Sequence, residues 1–364
     1  MRISGILLGV ITALCFQGCT TINKLISGKP VLTATIVREG LINCFDKGLT
    51  LDGKPVWCEA SAIVYTGKKL YVANDKDMPG NLSSVFTMPF LNGFFDGFQH
   101  AEYSTSPLLK KAKKFEDFAL SPDGKYVFLT TGFDRVQPSN KSWDGYNTVV
   151  YWKAGEEDKP HVLSANGSDT TSVSYREKIS RALASSDFPK GPPYFKIEGL
   201  AATADMLYWG IREEGKRYDS FTYKIKILTT PYTLLNDKVV LGDFKLLTEI
   251  KISKVNPGNH PMALSSIEYD PYLQRFLLLT SYEEKDSMGG YLWMATPEEL
   301  QAGIINPVKD AQGTPVVFHN KCEDLAIISK GRLIVIHDDD RMQPVVEGET
   351  RQPHQAAYSV VEFK

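Results

Sequence analysis

The sequence predicts an all-β fold, a β-propeller of five blades, and three observations carry that prediction. A hairpin-like unit recurs five times, as "CEASAIVYTGKKLYVANDKD", "FEDFALSPDGKYVFLTTGFDR", "IEGLAATADMLYWGIREEG", "LSSIEYDPYLQRFLLLTSYEE" and "CEDLAIISKGRLIVIHDDDR". Each unit carries an acid or a serine at its second position, runs through apolar β-type residues, turns, runs again and ends on charge, which is the pattern of a hairpin buried on both faces. The leading residues Glu59, Glu116, Glu198, Ser265 and Glu323 are 57, 82, 67 and 58 residues apart, somewhat longer than compact four-stranded blades require. Two further strand-like runs follow most hairpins, completing four-stranded units that stack radially.

Taken in order, Val31 to Arg38 reads as an outer strand that precedes the first hairpin. Val85 to Phe90 follows hairpin one, and Thr148 to Trp152 with His161 to Ser164 follow hairpin two. Phe221 to Leu228 pairs with Phe244 to Ile250 after hairpin three, and Tyr291 to Ala295 with Pro315 to Phe318 after hairpin four. After hairpin five only Ala357 to Phe363 remains. The early strand is therefore expected to complete blade five, closing the ring and leaving no free edge. A sixth blade stays open if residues 141 to 190 hide one; that polar, irregular stretch reads as a long loop. Arg176 to Ala184 and Pro297 to Ala302 are the only helical candidates.

The N-terminus stands apart. "MRISGILLGVITALCFQGC" has a basic start and an apolar stretch too short to span a bilayer, the layout of a signal peptide. Phe16-Gln17-Gly18-Cys19 resembles a lipobox, which implies cleavage before Cys19 and lipid on its sulfur. Residues 1–18 are then the signal, 19–30 a tether and 31–364 a single propeller. Thr20 after the cysteine implies the periplasm-facing outer membrane, with a soluble periplasmic or secreted form as the alternative. The periplasm permits disulfides. Cys58 with Cys322 across the ring closure, and Cys44 with Cys58, are both open. A net charge of −2 with scattered basic residues gives no sign of a nucleic-acid surface. The run Lys110, Lys111, Lys113, Lys114 reads as a solvated face, and a monomer is expected.

In a propeller the first strand of each blade lines the central channel, so the five leading residues should meet around the axis. Four carboxylates and a hydroxyl in a narrow ring repel one another. Calcium, which takes six to eight oxygens in irregular geometry, would relieve that repulsion at Glu59, Glu116, Glu198, Ser265 and Glu323. A wet channel with lysine- or arginine-paired glutamates is the alternative. Asp117 and Asp324 follow two ring glutamates and are expected to turn away from the axis toward backbone amides between blades. The second strands end at the channel mouth in Asp75-Lys76, Asp134-Arg135, Arg212-Glu213, Glu283-Glu284 and Asp338-Asp339-Asp340-Arg341. These form an expected ligand-binding rim, with Asp75, Lys76, Asp134, Arg135, Arg212, Glu213, Glu283, Asp339 and Arg341 as its members. Arg135, Arg212, Arg341, His337 and Asp338 are the candidates for chemistry, as anion grips and acid/base groups. No Walker loop, GxSxG, HExxH or histidine-acid phosphatase motif is present. The loop "FLNGFFDGF" (90–98) offers an apolar patch for a partner or a membrane surface.

"IEGLAATADMLYWGIREEG" resembles the start of repeats in the bacterial phytase-like and SdiA-regulated propeller families. The ring of Glu and Ser is similar to that of calcium-activated nucleotidases of the apyrase type, over the roughly 300 residues after Val56. The resemblance implies axial calcium at Glu116, Glu198, Ser265 and Glu323, and a serine where Glu59 stands. Two functions follow as expectations. One is a lipid-anchored envelope protein that binds a polar small molecule or an envelope partner; the other is a Ca²⁺-dependent phosphoric ester or anhydride hydrolase.

Overall fold

The computed structural model describes residues 32–364, except 92–93, 96–100, 136–139, 168–169 and 286. The expected signal peptide, Cys19 and the whole tether lie outside the described residues. Five antiparallel sheets form the blades. Blade one contains Ala60–Tyr65, Lys69–Asn74 and Val85–Leu91, with Glu102–Tyr103 and Phe94–Phe95 on its outer edge. Blade two contains Phe115–Leu120, Tyr126–Thr131, Val149–Lys153 and His161–Val162; blade three Tyr194–Ala202, Met206–Arg217, Ser220–Leu235 and Lys245–Glu249. Blade four contains Ala263–Asp270, Arg275–Glu284 and Ser287–Ala295, finished by Asn306–Pro307 and Val317–Phe318. Blade five is Cys322–Ser329, Arg332–His337, Gln355–Phe363 and, outermost, Ala34–Asn43.

The ring thus closes as the sequence implies, with Ala34 opposite Phe363 and Asn43 opposite Gln355. Residues 141–190 hold no sixth blade: their described part contains two 3₁₀ turns, the helix Arg176–Ala182 and the strands Val149–Lys153 and His161–Val162, both of which belong to blade two. Pro297–Gln301 is the second expected helix, opened by a capping box between Thr296 and Glu299. A third was not expected. Pro107–Lys111 is helical, with Ser106 as its N-cap and Pro at its start, so the lysine run begins on a helix.

The core lies between blades. Five apolar clusters each join neighbouring sheets, such as Trp209, Phe128, Phe195 and Phe244 between blades two and three. Ile63, Phe86, Ile334 and Tyr358 join blades five and one. Continuous apolar runs result because each strand is buried on both faces. The glycine of "IEGLAA" serves the same packing: a Cβ on Gly199 would lie 2.9 Å from Ile267 of blade four and 3.1 Å from the Gly210 Cα. Of the two cysteine pairings, the structure forms Cys44–Cys58, with Cα atoms 6.2 Å apart. It ties the outer strand of blade five to the approach of blade one's inner strand, across the closure. Cys322 is free and buried. Phe90 is buried and packs on Phe95, which reaches Tyr358 of blade five. These two aromatics therefore cover the blade-one side rather than form an open patch. Phe98 lies outside the described residues, and Phe94's side chain with it.

Candidate functional site at the channel mouth

The inner strands of the five blades pack around the axis, each touching the next. Every one of them carries an extra residue that has no partner on the second strand. Pairing skips Ser61, Glu116, Glu198, Ser265 and Glu323. Such bulges break side-chain alternation and re-aim a residue. The bulged positions are the true ring, and they correct one expected member. In blade one the ring residue is Ser61, not Glu59. Glu59 sits two residues earlier, at the level occupied by Lys114, Lys196, Ala263 and Lys321 in the other blades.

Two charged layers follow. The deeper one is Ser61, Glu116, Glu198, Ser265 and Glu323, each at most 5% exposed. Above it, Lys114, Lys196 and Lys321 stand nearer solvent, with side chains 13–20% exposed. Period-2 geometry puts each Lys of a Lys-x-Glu triplet above its own glutamate. Lys321 Nζ lies 3.0 Å from Glu323, and Lys114 3.5 Å from both Glu116 and Asp134. Lys196 hydrogen-bonds Glu198 and lies 3.3 Å from Glu116 of the neighbouring blade. Gly132 makes room here, since a Cβ on it would be 2.9 Å from Glu116 Oε1. Blade one borrows its cation from the second strand's end: Lys76 pairs with Glu59 and Asp75. Arg212, itself buried, crosses from blade three to donate to Leu264 O at 2.8 Å, Ser265 Oγ at 3.2 Å and Ser281 Oγ at 3.3 Å.

The electrostatics separate the glutamates. Burial, then repulsion from Glu198, pushes the Glu116 carboxyl up to about 8. Glu198 is equally buried, but Lys196 and Arg212 outweigh that and hold it below the usual carboxylate range. Burial also raises Glu59 and Glu323. Glu116 Oε1 is buried and makes no hydrogen bond, although two lysines stand at ion-pair distance.

One layer deeper, the bulges overturn the expectation that Asp117 and Asp324 turn from the axis. Asp117 Oδ2 accepts from Leu200 N of blade three at 2.8 Å and from Ile267 N of blade four at 3.5 Å, so it reaches across the centre. Asp324 accepts from Ile63 N at 2.7 Å and Ser266 Oγ at 2.8 Å. The expected partners, backbone amides of other blades, are met. Burial raises both carboxyls, and the charge of Asp324 adds to the rise at Asp117.

The expected rim divides. Asp75, Lys76, Asp134, Arg135 and Glu213 do stand at the mouth. Arg135 lies 3.5 Å from Asp134 and covers the Tyr146 ring, and Tyr194 hydrogen-bonds Glu213. Glu283 is exposed and 3.6 Å from Lys321, and Arg341 is exposed. Arg212 is a buried cross-blade strut rather than a rim group. Asp339 is structural, accepting from Lys321 N at 3.1 Å and Asn320 at 2.8 Å. His337 is buried in blade five, its Nε2 2.8 Å from Ser359 Oγ, and burial pushes it down to about 3. It stays neutral and away from the mouth, which removes it as an acid/base candidate. Asp338 is buried, and its carboxyl is held well above the usual range.

The five ring positions do not fit one shared axial calcium. Their carboxylates face amines and a guanidinium, and Ser265 Oγ is 2.5 Å from Ser281 Oγ. Among the described residues, the acids whose oxygens gather within 4.8 Å of one another are Glu59, Asp338 and Asp340, which include no ring residue. The residues that the sequence reading missed are Lys114, Lys196 and Lys321. Their signal was present in the triplets "KFE", "KIE" and "KCE".

No known protein family's sequence profile matches this chain, and no curated protein resembles it in sequence. Solved structures do resemble it. The catalytic domain of a GH62 α-L-arabinofuranosidase from Coprinopsis cinerea shares 10% identity, with 90% of this chain and 98% of that one covered, at a TM-score of 0.44. The PQQ-bound aldose sugar dehydrogenase of Streptomyces coelicolor shares 10% over 92% and 98%, at 0.38. A putative glycoside hydrolase from Parabacteroides distasonis shares 7% over 93% and 95%, at 0.39. At these values the likeness carries nothing about chemistry. What stands is the class that the blades and the mouth define: a closed five-bladed β-propeller with a charged, layered central channel.

Proposed function

We propose that the channel mouth binds a small anionic, hydroxylated ligand, a phosphorylated or carboxylated sugar being the type, and that the propeller works as a binding protein tethered in the cell envelope through Cys19. One observation carries the reading. A ligand that enters the mouth meets the amines of Lys76, Lys114, Lys196 and Lys321 before it meets the glutamates below. Of these, Lys114, Lys196 and Lys321 are largely shielded from water and held by neighbouring carboxylates, which preorganises them as anion donors, and the buried acids offer acceptors for hydroxyls. Calorimetry with sugar phosphates and the matching neutral sugars tests it. The expected result is a binding event that requires the phosphate and weakens at least tenfold in Lys321→Met. Equal binding of neutral sugars at the mouth would sink it. Transfer of the protein from membrane to soluble fraction in Cys19→Ala tests the tether.

A second reading, hydrolysis of a phosphoric ester or anhydride as in phytase-like or nucleotidase-like propellers, is favoured by one pair. Glu116 is held protonated and Glu198 ionised, with Lys196 between them, and neighbours pushed apart in this way suit an acid and a base. Glu116 would protonate the leaving oxygen, Glu198 would orient water, and the lysines would hold the phosphoryl oxygens. Glu116→Gln should then bind ligand but not turn it over; unchanged turnover rules this mechanism out. This reading would take its calcium off the axis, where Glu59, Asp338 and Asp340 could hold it. Calcium titration of the protein and of Asp338→Asn tests that placement, with a site lost in the variant as the expected result.

A further inference from the structure

The end of the axis opposite the mouth holds a second cavity. Each inner strand runs from the mouth down to its hairpin turn, and the turns of blades one, two, four and five surround a cup of about 270 Å³, room for a small organic molecule. Its walls are apolar and reachable from solvent. Tyr65, Leu120, Tyr269 and Ile327 are partly exposed, and Tyr272 is 57% exposed.

One acid stands in this apolar cup without a cation. Three residues on from the bulges lie Val64, Ala119, Ala201, Glu268 and Ala326, so blade four carries a carboxyl where the others carry alanine or valine. Glu268 lines the cup and is 6% exposed. The Tyr269 N–H donates to its Oε1 at 3.2 Å, while Oε2 has no hydrogen-bond partner and keeps some contact with solvent. Among the described residues no lysine or arginine lines the cup, and its other acid, Asp123, is engaged by Lys125 at 2.9 Å and Ser121 at 2.7 Å. The groups that bear on Glu268 are carboxyls as well. Burial, then the charges of Asp324 and Asp270, hold it well above the usual carboxylate range.

A buried acid without a counter-charge is costly, and four blades fill the same place with an apolar side chain. The chemistry of the cup selects the ligand that would offset this cost. An anion would meet only carboxyls. A neutral alcohol brings a hydrogen bond but no charge. A primary ammonium on a short apolar stem brings the missing cation to Oε2 as a charge-assisted donor and lays its methylenes along the apolar walls. An apolar enclosure with one placed polar group is the usual form of a small-molecule site.

We infer that the cup is a binding site for a small primary ammonium compound with an apolar stem, its nitrogen on Glu268, separate from the channel mouth. Ligand-detected NMR titration of the whole protein with n-butylammonium, and with n-butanol and butyrate as its neutral and anionic matches, tests it. The expected result is saturable binding of n-butylammonium, at least tenfold tighter than of either match. Glu268→Gln, which keeps the shape and removes the charge, should weaken that binding at least tenfold. Tyr272→Ala should weaken it from the exposed side without disturbing the core. Thermal melts show whether each variant is folded; Glu268→Ala, which gives blade four the side chain of blades two, three and five, should melt no lower than the parent and carries the same binding test. Binding of n-butanol as tight as that of n-butylammonium, no saturation by n-butylammonium, or binding unchanged in folded Glu268→Gln or Glu268→Ala would each overturn the assignment.

Discussion

Blades three and one reach charge balance at the axis by opposite routes. Blade three stacks Lys196 over Glu198 on its own inner strand, and the lysine also serves Glu116 next door. Blade one stacks Glu59 over Ser61 and recruits Lys76 from the end of its second strand. The first route fixes both charges on one rigid strand. The second leaves the cation 44% exposed on a strand end, where rotamer entropy and water weaken the pairing. A hairpin repeat thus preserves the balance of charge at each blade while the element that supplies it changes.

That contrast can be broken at its strong side first. Lys196→Met should cost about 3–5 kcal/mol, because it leaves Glu116 and Glu198 buried with their shared cation gone. Lys76→Met should cost much less, and denaturant melts of the two variants measure the difference; equal losses would erase the distinction drawn here. Next comes the closure. Replacing Cys44 and Cys58 by serine should lower stability by about 2–4 kcal/mol through the freed unfolded chain, again read by denaturant melts.

A pH-dependent effect follows. Glu116 has its folded value raised from 4.5 to about 8, so the native state holds its proton where the unfolded chain has lost it. Its contribution is full below about 4.5 and is lost as pH rises through about 8. Melting temperatures of Glu116→Gln against pH should therefore fall less steeply across that window than those of the parent. The smallest effect belongs to the outer rim: Arg341→Ala and Glu283→Ala should change stability by no more than about 0.5 kcal/mol, while thermal melts of ring variants move by several degrees.

The blade count, the closing strand and the meeting of the five hairpin starts were legible because each rests on local pattern: period-2 apolar runs, turn residues and their spacing. The ring's membership was legible in four blades out of five. It failed at blade one because alignment on turns tolerates a two-residue slip, and only the skipped partner of Ser61 reveals the bulge. The same bulges hid the inward turn of Asp117 and Asp324, since strict alternation sends them outward. Lys114 was passed over as part of a lysine run read as a solvated face. Its neighbours Lys110 and Lys113 do bear that out, pairing at the surface with Asn81 and Asp77. The reach of Arg212 into blade four and the choice between the two cysteine pairings were beyond local reasoning, since both depend on how neighbouring blades pack.

The pairing of Ala34–Asn43 with Gln355–Phe363 has a consequence for how the molecule is made. Contacts of such long sequence separation form slowly. Until the second of these strands has been synthesised, the first has no mate, and the second strand of blade five presents an open row of backbone donors and acceptors. Newly made chains therefore pass through a sticky intermediate in which any extended segment of another copy can fill the gap. The protein's vulnerable moment is therefore during assembly, before the closing strand pairs.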